Sequence, residues 1–306
     1  MQSGGLGNSI PDKGCLYNQI SRQNRKKKND GVSAIQFMRD LLSKDGNMYV
    51  DCLRDDKNII DRLFWCDDIS KLSHELFGDV LAFDATYKKN QYMLPLVVFS
   101  GVNNHNRSTI FAAALISNET KETYVWLLEQ LMVAMKGKQP SAVITDGCAA
   151  MKYAIKTVLP DARHRLCAWH ILINAGRNAK NKLFNKAFKN LMYDDYTMGK
   201  FKRKWDETVA KFGFQDKKWV KDMYDKRKMW ATTYLRGKFF AGFRTTSRCE
   251  GLHFELGKYV HSRYNLRDFL DQYHICLNFM RFRELKDDCE SIHGEAVPVT
   301  NLKKPE

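Results

Sequence analysis

"VLAFDATYKKN", residues 80–90, runs four apolar residues into Asp84 and then breaks into a basic, polar turn. Burying an ionised carboxylate is costly unless it is paired, hydrogen-bonded or holding a metal. Asp84 therefore either caps a strand at the surface or sits at the strand end to do chemistry. Two further apolar runs of strand length, "YMLPLVVFSGV" (92–102) and "TIFAAALI" (109–116), follow after short polar turns, which favours an antiparallel meander. "KETYVWLLEQLMVAM" (121–135) puts Tyr124, Leu127, Leu128, Leu131 and Met135 on one stripe and predicts a helix, closed by Gly137 and Pro140. "SAVITD" (141–146) is a fourth strand, also ending on a carboxylate, Asp146; "GCAAMKYAIKTVLP" (147–160) is a second helix and "RHRLC" (163–167) a fifth strand.

Three antiparallel strands, a helix, a strand, a helix and a strand describe an α/β fold with a ribonuclease-H-like mixed sheet. In such a sheet the first and fourth strands can lie side by side, bringing Asp84 and Asp146 to one end. Converging carboxylates repel each other, and divalent cations relieve that repulsion. A two-metal phosphoryl-transfer site, with ions about 3.5–4 Å apart, needs a third carboxylate. Glu250 is the candidate, with Glu255 as a fallback on the same helix. Ser247-Arg-Cys-Glu250 also has the spacing of a capping box, in which the Glu merely reaches back to the cap backbone; the local pattern leaves both roles open. Mg²⁺ or Mn²⁺ is the metal such a site would take.

Before residue 80 the chain is less patterned. Residues 1–32 are Gly-rich and polar, and the run Arg25 to Lys28 reads either as a nuclear-import or phosphate-contact patch or as a solvated helix face. "AIQFMRDLL" (34–42) predicts a short amphipathic helix, and "NMYVDCLRDD" with "IIDRLFWCD" alternate like strands or a hairpin. After Cys167 the texture turns helical and basic. "KLFNKAFKNLM", "KFKRKWDETVAKF" and "KKWVKDMYDKRKMWATTYL" read as amphipathic helices whose Phe184, Phe188, Phe201, Trp205, Trp219 and Trp230 recur at helical spacing, as packing residues rather than nucleobase platforms. "TTSRCEGLHFELGKYV" and "LRDFLDQYHICLNFMRF" begin two more helices.

With 306 residues, 44% hydrophobic and 28% charged, the chain has globular composition. It shows no uncharged apolar run long enough to span a bilayer and no signal-peptide order at its start, so a soluble, intracellular protein is expected. Its eight cysteines are spread through a long chain and suit reduced thiols. The formal charge of +15 points to a polyanionic partner, nucleic acid above all. From Arg177 to Arg244 about 19 basic side chains face about 7 acidic ones, with Lys202, Arg203, Lys204, Lys217, Lys218, Arg227 and Lys228 as candidate DNA contacts.

Cys167 and His170 form a Cys-x-x-His pair, half of a zinc site; Cys249 and His253 would have to supply the other half. A nucleophilic Cys167 aided by His170 lacks an evident orienting acid. His164, flanked by Arg163 and Arg165, is expected to face a phosphate or solvent.

Taken together, "FGDVLAFDATYKKNQYMLPLVVFSGVNNH", "ITDGCAAMKYAI", "PDARHRLCAWHI", "RTTSRCEGLHFELGKYV" and "LRDFLDQY" resemble the Mutator-like transposase domain in the form carried by the plant far-red-impaired-response and far-red-elongated-hypocotyl proteins. The resemblance spans about residues 10–285. It implies a ribonuclease-H-like core interrupted by an all-helical insertion, an acidic triad on Asp84, Asp146 and Glu250, and a Cys-x-x-His motif on Cys167 and His170. The division it suggests is 1–75 as an N-terminal helical and irregular segment, 76–175 as the first part of the core, 176–243 as the basic insertion, 244–285 as helices completing the core, and 286–306 as a tail. Members of the family usually read Asp-Gln at the second acid, where this chain has Asp146-Gly147-Cys148, and usually have Ser where Cys249 stands. They also carry an N-terminal zinc DNA-binding domain and a C-terminal SWIM zinc finger, so the chain looks like the middle of a larger protein. The resemblance implies a nuclear, DNA-associated regulator of transcription, often in light signalling; the alternatives are an active transposase and a copy acting only through dimerisation with relatives. No membrane and no small-molecule substrate are expected.

Overall fold

The computed structural model describes residues 13–243 and 247–293. Seven strands form one mixed sheet: β1 (Tyr49–Arg54), β2 (Ile60–Cys66), β3 (Val80–Thr86), β4 (Leu96–Val102), β5 (Ser108–Ile116), β6 (Ala142–Thr145) and β7 (Arg163–Leu166), in the order β1-β2-β5-β4-β3-β6-β7. The meander expected over 80–116 is β3, β4 and β5, paired antiparallel. β6 lies beside β3 in parallel, and β7 extends the sheet in parallel beyond it. The hairpin expected in the N-terminal segment is β1–β2, which adds to the same sheet through β5.

The central strands read as unbroken apolar runs because both faces of the sheet are covered. On one face Leu81, Phe83, Val97 and Phe99 pack beneath α3 (Lys121–Ala134) and α4 (Ala149–Val158). On the other, Leu96, Val98, Ala113 and Leu115 lie under α1 (Lys13–Lys44), α10 (Ser247–Tyr259) and α11 (Leu266–His293). Phe240 and Phe243 continue this cover over Val80, Ala82, Ala142 and Ile144. α2 (Asp68–Phe77) follows β2, capped by Asp67, whose side chain accepts from the Ser70 N–H at 3.0 Å.

Two helices exceed their sequence pattern. The expected helix over 34–42 is the buried end of α1; the polar stretch before it carries no apolar stripe for periodicity to detect. α11 runs on to His293, past the boundary expected at 285, and its last turns are largely exposed. Residues 294–306 of the expected tail lie outside the described residues.

Between β7 and Leu235 the described chain is helical: α5 (Ala168–Ala179), α6 (Lys182–Tyr193), α7 (Met198–Lys211), α8 (Lys218–Asp225), a 3-10 turn (Arg227–Met229) and α9 (Thr232–Leu235). Asn181 caps α6 by accepting from the Leu183 and Phe184 N–H groups, each at 3.0 Å, and Thr197 caps α7. Phe184, Phe188, Phe201, Trp205 and Trp230 are buried and form one aromatic core with half-buried Trp219, the packing role expected of them.

Candidate functional site

The sheet positions the acids through a simple register. β3 and β6 pair Val80 with Ala142 and Ala82 with Ile144 in parallel, which sends Asp84 and Asp146 to the same, carboxyl end of the sheet, near enough for the charge of Asp146 to act on Asp84. That end of an α/β sheet is where ligands are bound. Asp84 falls at the same parity as Val80 and Ala82, hence on the face that α10 covers, and Glu250 lies in the first turn of α10.

Asp84 is buried, 9% exposed, and does not cap a strand at the surface. One of its oxygens, Oδ1, accepts the N–H of Ala85 at 2.9 Å. Burial first, then the charge of Asp146 and more weakly that of Glu250, pushes its carboxyl up to about 6 against an opposing pull from His170. The three acids thus share one electrostatic neighbourhood. Asp146 Oδ1 accepts the Cys148 N–H at 2.8 Å in a tight turn through Gly147, whose φ of +91° and 3.0 Å clearance from the Leu166 side chain exclude a larger residue without strain. Glu250 Oε1 is buried with no hydrogen-bond partner among the described residues. The Ser247 side chain, on which the capping-box reading depends, lies outside the described side chains. Glu255, the fallback, is spent on an ion pair with Lys258 at 2.9 Å.

β7 brings in the Cys-x-x-His pair. The Cys167 N–H donates to the Thr145 carbonyl at 2.8 Å, seating Cys167 beside the residue that precedes Asp146. The His170 side chain is hydrogen-bonded to Cys167, and this bond, reinforced by the Cys167, Asp84 and Asp146 charges, raises the imidazole above its ordinary value in spite of burial. Asp84 and Asp146 act on this imidazole through their charge. His164 is half-buried and shares a 2.8 Å hydrogen bond with Thr145 Oγ1, and burial with nearby Lys152 lowers it to about 4. His253 is half-buried, lowered to about 4 by burial and nearby Lys89, with its Nε2 enclosed and unpartnered among the described residues and Lys89 donating to its carbonyl at 3.3 Å. The Cys249 side chain lies outside the described side chains.

Sequence reasoning missed one further acid at this end. Glu119 accepts from Tyr87, and its Oε1 accepts from Tyr124 at 2.5 Å. The signal was present in a polar "SNET" turn between an apolar strand and a helix.

Carboxylate oxygens suit a hard divalent cation, and the unpartnered Glu250 Oε1 is the atom best placed by chemistry to accept one. Among the described residues, however, no three or more His, Cys, Asp or Glu side chains are arranged to hold a metal ion. The acids share a field without forming a closed cage.

The basic candidates sit on the helical stretch. Lys202, Arg203, Lys218 and Lys228 are exposed, while Lys204, Lys217 and Arg227 are half-buried. Lys217 reaches the Asn178 carbonyl at 3.3 Å and lies 4.1 Å from the Phe214 ring centroid. Arg227 donates to the Tyr224 carbonyl at 2.8 Å and to the Tyr234 hydroxyl at 3.3 Å, and so helps to hold the helices together. No helix among the described residues is long and apolar enough to cross a membrane.

A mixed sheet with acids gathered at the carboxyl ends of its parallel strands defines a class, and comparison with known proteins gives that class its family. Residues 80–174 match the MULE transposase domain. The chain is 31% identical to Protein FAR1-RELATED SEQUENCE 4 of Arabidopsis thaliana over 92% of its own length and 39% of that protein's. It is 30% identical to Protein FAR1-RELATED SEQUENCE 5, over 93% of this chain and 36% of the relative, and 31% identical to Protein FAR-RED IMPAIRED RESPONSE 1, over 79% and 30%, both from Arabidopsis thaliana. Over most of its length the chain is thus similar to MULE-domain, FAR1-related proteins. It spans well under half the length of these relatives.

Proposed function

We propose that this chain is a transposase-derived, DNA-associated nuclear module that regulates transcription, built on a ribonuclease-H-like sheet into which 176–243 is inserted as a basic helical unit. The observation that supports the reading is that the charges of Asp146 and Glu250 both act on buried Asp84, with Asp84 and Asp146 inside the stretch, 80–174, that matches the MULE transposase domain. A charge of +15, presented in part by Lys202, Arg203, Lys218 and Lys228, supplies the attraction to phosphate. Mg²⁺ or Mn²⁺ would supply Lewis acidity and a bound nucleophile for strand cleavage if Asp84, Asp146 and Glu250 closed around it. The residues themselves contribute orientation: Ala85 and Cys148 N–H groups fix Asp84 and Asp146, and the Cys167–His170 pair places partial positive charge beside them. Active cleavage and joining is the alternative.

Titration of a fluorescent DNA duplex at increasing salt tests the binding claim. Affinity should fall steeply, and Lys202→Glu, Lys218→Glu and Lys228→Glu should each reduce the log–log salt slope by about 1. An affinity indifferent to salt overturns it. Mn²⁺-dependent nicking that Asp146→Asn abolishes would favour the enzyme; a transcriptional reporter that survives the same substitution favours the regulator.

A dimer is a second reading with its own support. Ile275, Phe279, Phe282, Leu285 and Ile292 are exposed at spacings of three, four and seven residues along α11. Phe282→Glu should shift a self-associating protein to monomer in sedimentation; an unchanged profile excludes this face.

A further inference from the structure

We propose that the cavity between α1, β2 and α11 binds a small, uncharged aromatic molecule bearing one hydrogen-bonding group, as an effector rather than a substrate. The cavity has a volume of about 190 Å³, and Phe37, Met38, Leu41, Met48, Trp65 and Leu270 supply its apolar wall. That exceeds the roughly 150 Å³ at which an apolar protein cavity stays dry and admits benzene. It lies apart from the acids, since β5 and β4 separate β2 from β3.

The polar marker is Tyr273. It lines the cavity, is only 3% exposed, and its hydroxyl, which bonds to no described side chain yet is not fully enclosed, opens onto the cavity. A donor or acceptor on a molecule in the cavity can meet it there. The Tyr273 ring is held in place, edge-to-face with Trp65 at 5.3 Å and against Phe269. Charge at the polar margin cancels. Asp67 is bound by Arg281 at 2.5 and 2.6 Å and by the Ser70 N–H, Lys44 and Asp45 carry opposite signs, and burial holds His274 toward its neutral form. A charged ligand would find no net counter-charge there, whereas aromatic rings and the Met38 and Met48 sulfurs favour an aromatic one. Because α1 and α11 form opposite walls, occupancy would fasten α1 to α11 and stabilise the fold by mass action.

The test uses phenol and toluene, which share a shape and differ in the hydroxyl, titrated into the full chain labelled with ¹³C-methyl methionine. Saturable shifts at two methionine methyls, those of Met38 and Met48, are expected, with phenol binding roughly five- to tenfold more tightly than toluene. Tyr273→Phe, which keeps the ring packing, should make the two probes equal. Leu41→Trp should plug the cavity and abolish both; if that variant fails to fold, the phenol–toluene comparison in wild type and Tyr273→Phe decides alone. No saturable shift by roughly 10 mM, as when a lone water satisfies Tyr273, overturns the proposal. So does equal affinity in the wild-type protein.

Discussion

The carboxyl end of the sheet and the helical stretch after it treat charge in opposite ways. At the sheet end Asp84, 9% exposed, is pushed up to about 6 by burial and by its acidic neighbours. In the helices about 19 basic residues meet about 7 acidic ones, and most of the named lysines and arginines lie in or near solvent over an aromatic core. Exposed charge costs little, so a basic surface points to a partner only in aggregate. A buried acid costs the fold stability at each position, and its presence demands a local reason. The contrast says where to look for chemistry and where for adhesion.

The largest effect should come from the packing both regions share. Phe188, fully buried against Phe184, Trp205, Trp219 and Trp230, anchors the helices as Phe83, between Phe99 and Tyr124, anchors the sheet. Phe188→Ala and Phe83→Ala should each lose about 3–5 kcal/mol in denaturant unfolding. An early loss of tryptophan signal in Phe188→Ala alone would show the helices unfolding separately; coincident transitions would mean one cooperative unit.

The next effect separates the regions by pH. His74 is buried edge-on to Phe111, and burial with nearby Lys138 lowers it from 6.5 to about 4. His164 and His253, also packed on the sheet, are lowered to about 4. The unfolded chain therefore binds the extra protons. Stability is complete above about 6.5 and is lost as pH falls toward 4, by about 3 kcal/mol for His74. His74→Gln should flatten that slope in urea titrations across this window. In the helical stretch Tyr196 is pushed up to about 12 by its hydrogen bond to Asp194, far from the acid range, whereas the three lowered histidines place acid lability on the sheet. An unchanged slope in His74→Gln would remove that distinction.

Much of this was legible locally. The meander, the two strand-terminal aspartates and the aromatic packing residues each follow from periodicity within a dozen residues, and burial on both sheet faces explains why "VLAF" does not alternate. What sequence hid depends on lateral pairing. Only β6 and β7 lying side by side place His170 near the aspartates and turn His164 toward Thr145. Only the β2–β5 pairing makes β1 and β2 part of the same sheet. Nothing in the pattern of α11 distinguishes Tyr273 from any other core aromatic, because a missing hydrogen bond is a property of neighbours.

A smaller effect should come from the acid end itself. Asp84→Asn removes a buried charge from beside Asp146 and should stabilise the protein at pH 7.5 by on the order of 1–2 kcal/mol. Millimolar Mn²⁺ should raise the melting temperature of the wild type and leave that of Asp84→Asn unmoved. Equal response to Mn²⁺ would place the ion elsewhere.

The smallest effect compares two acids on one helix. Glu255 pairs with Lys258 at 2.9 Å, with side chains 27% and 51% exposed, so solvent screens the pair and Glu255→Gln should cost no more than about 0.5 kcal/mol. Glu250, five residues earlier, has an oxygen buried without a partner and adds to the field that raises Asp84. Glu250→Gln lessens repulsion, so it should be neutral or slightly stabilising, and it alone should blunt the Mn²⁺ response. If Glu255→Gln blunts that response and Glu250→Gln does not, the third acid has been misassigned, and the contrast between buried and exposed charge fails within a single helix.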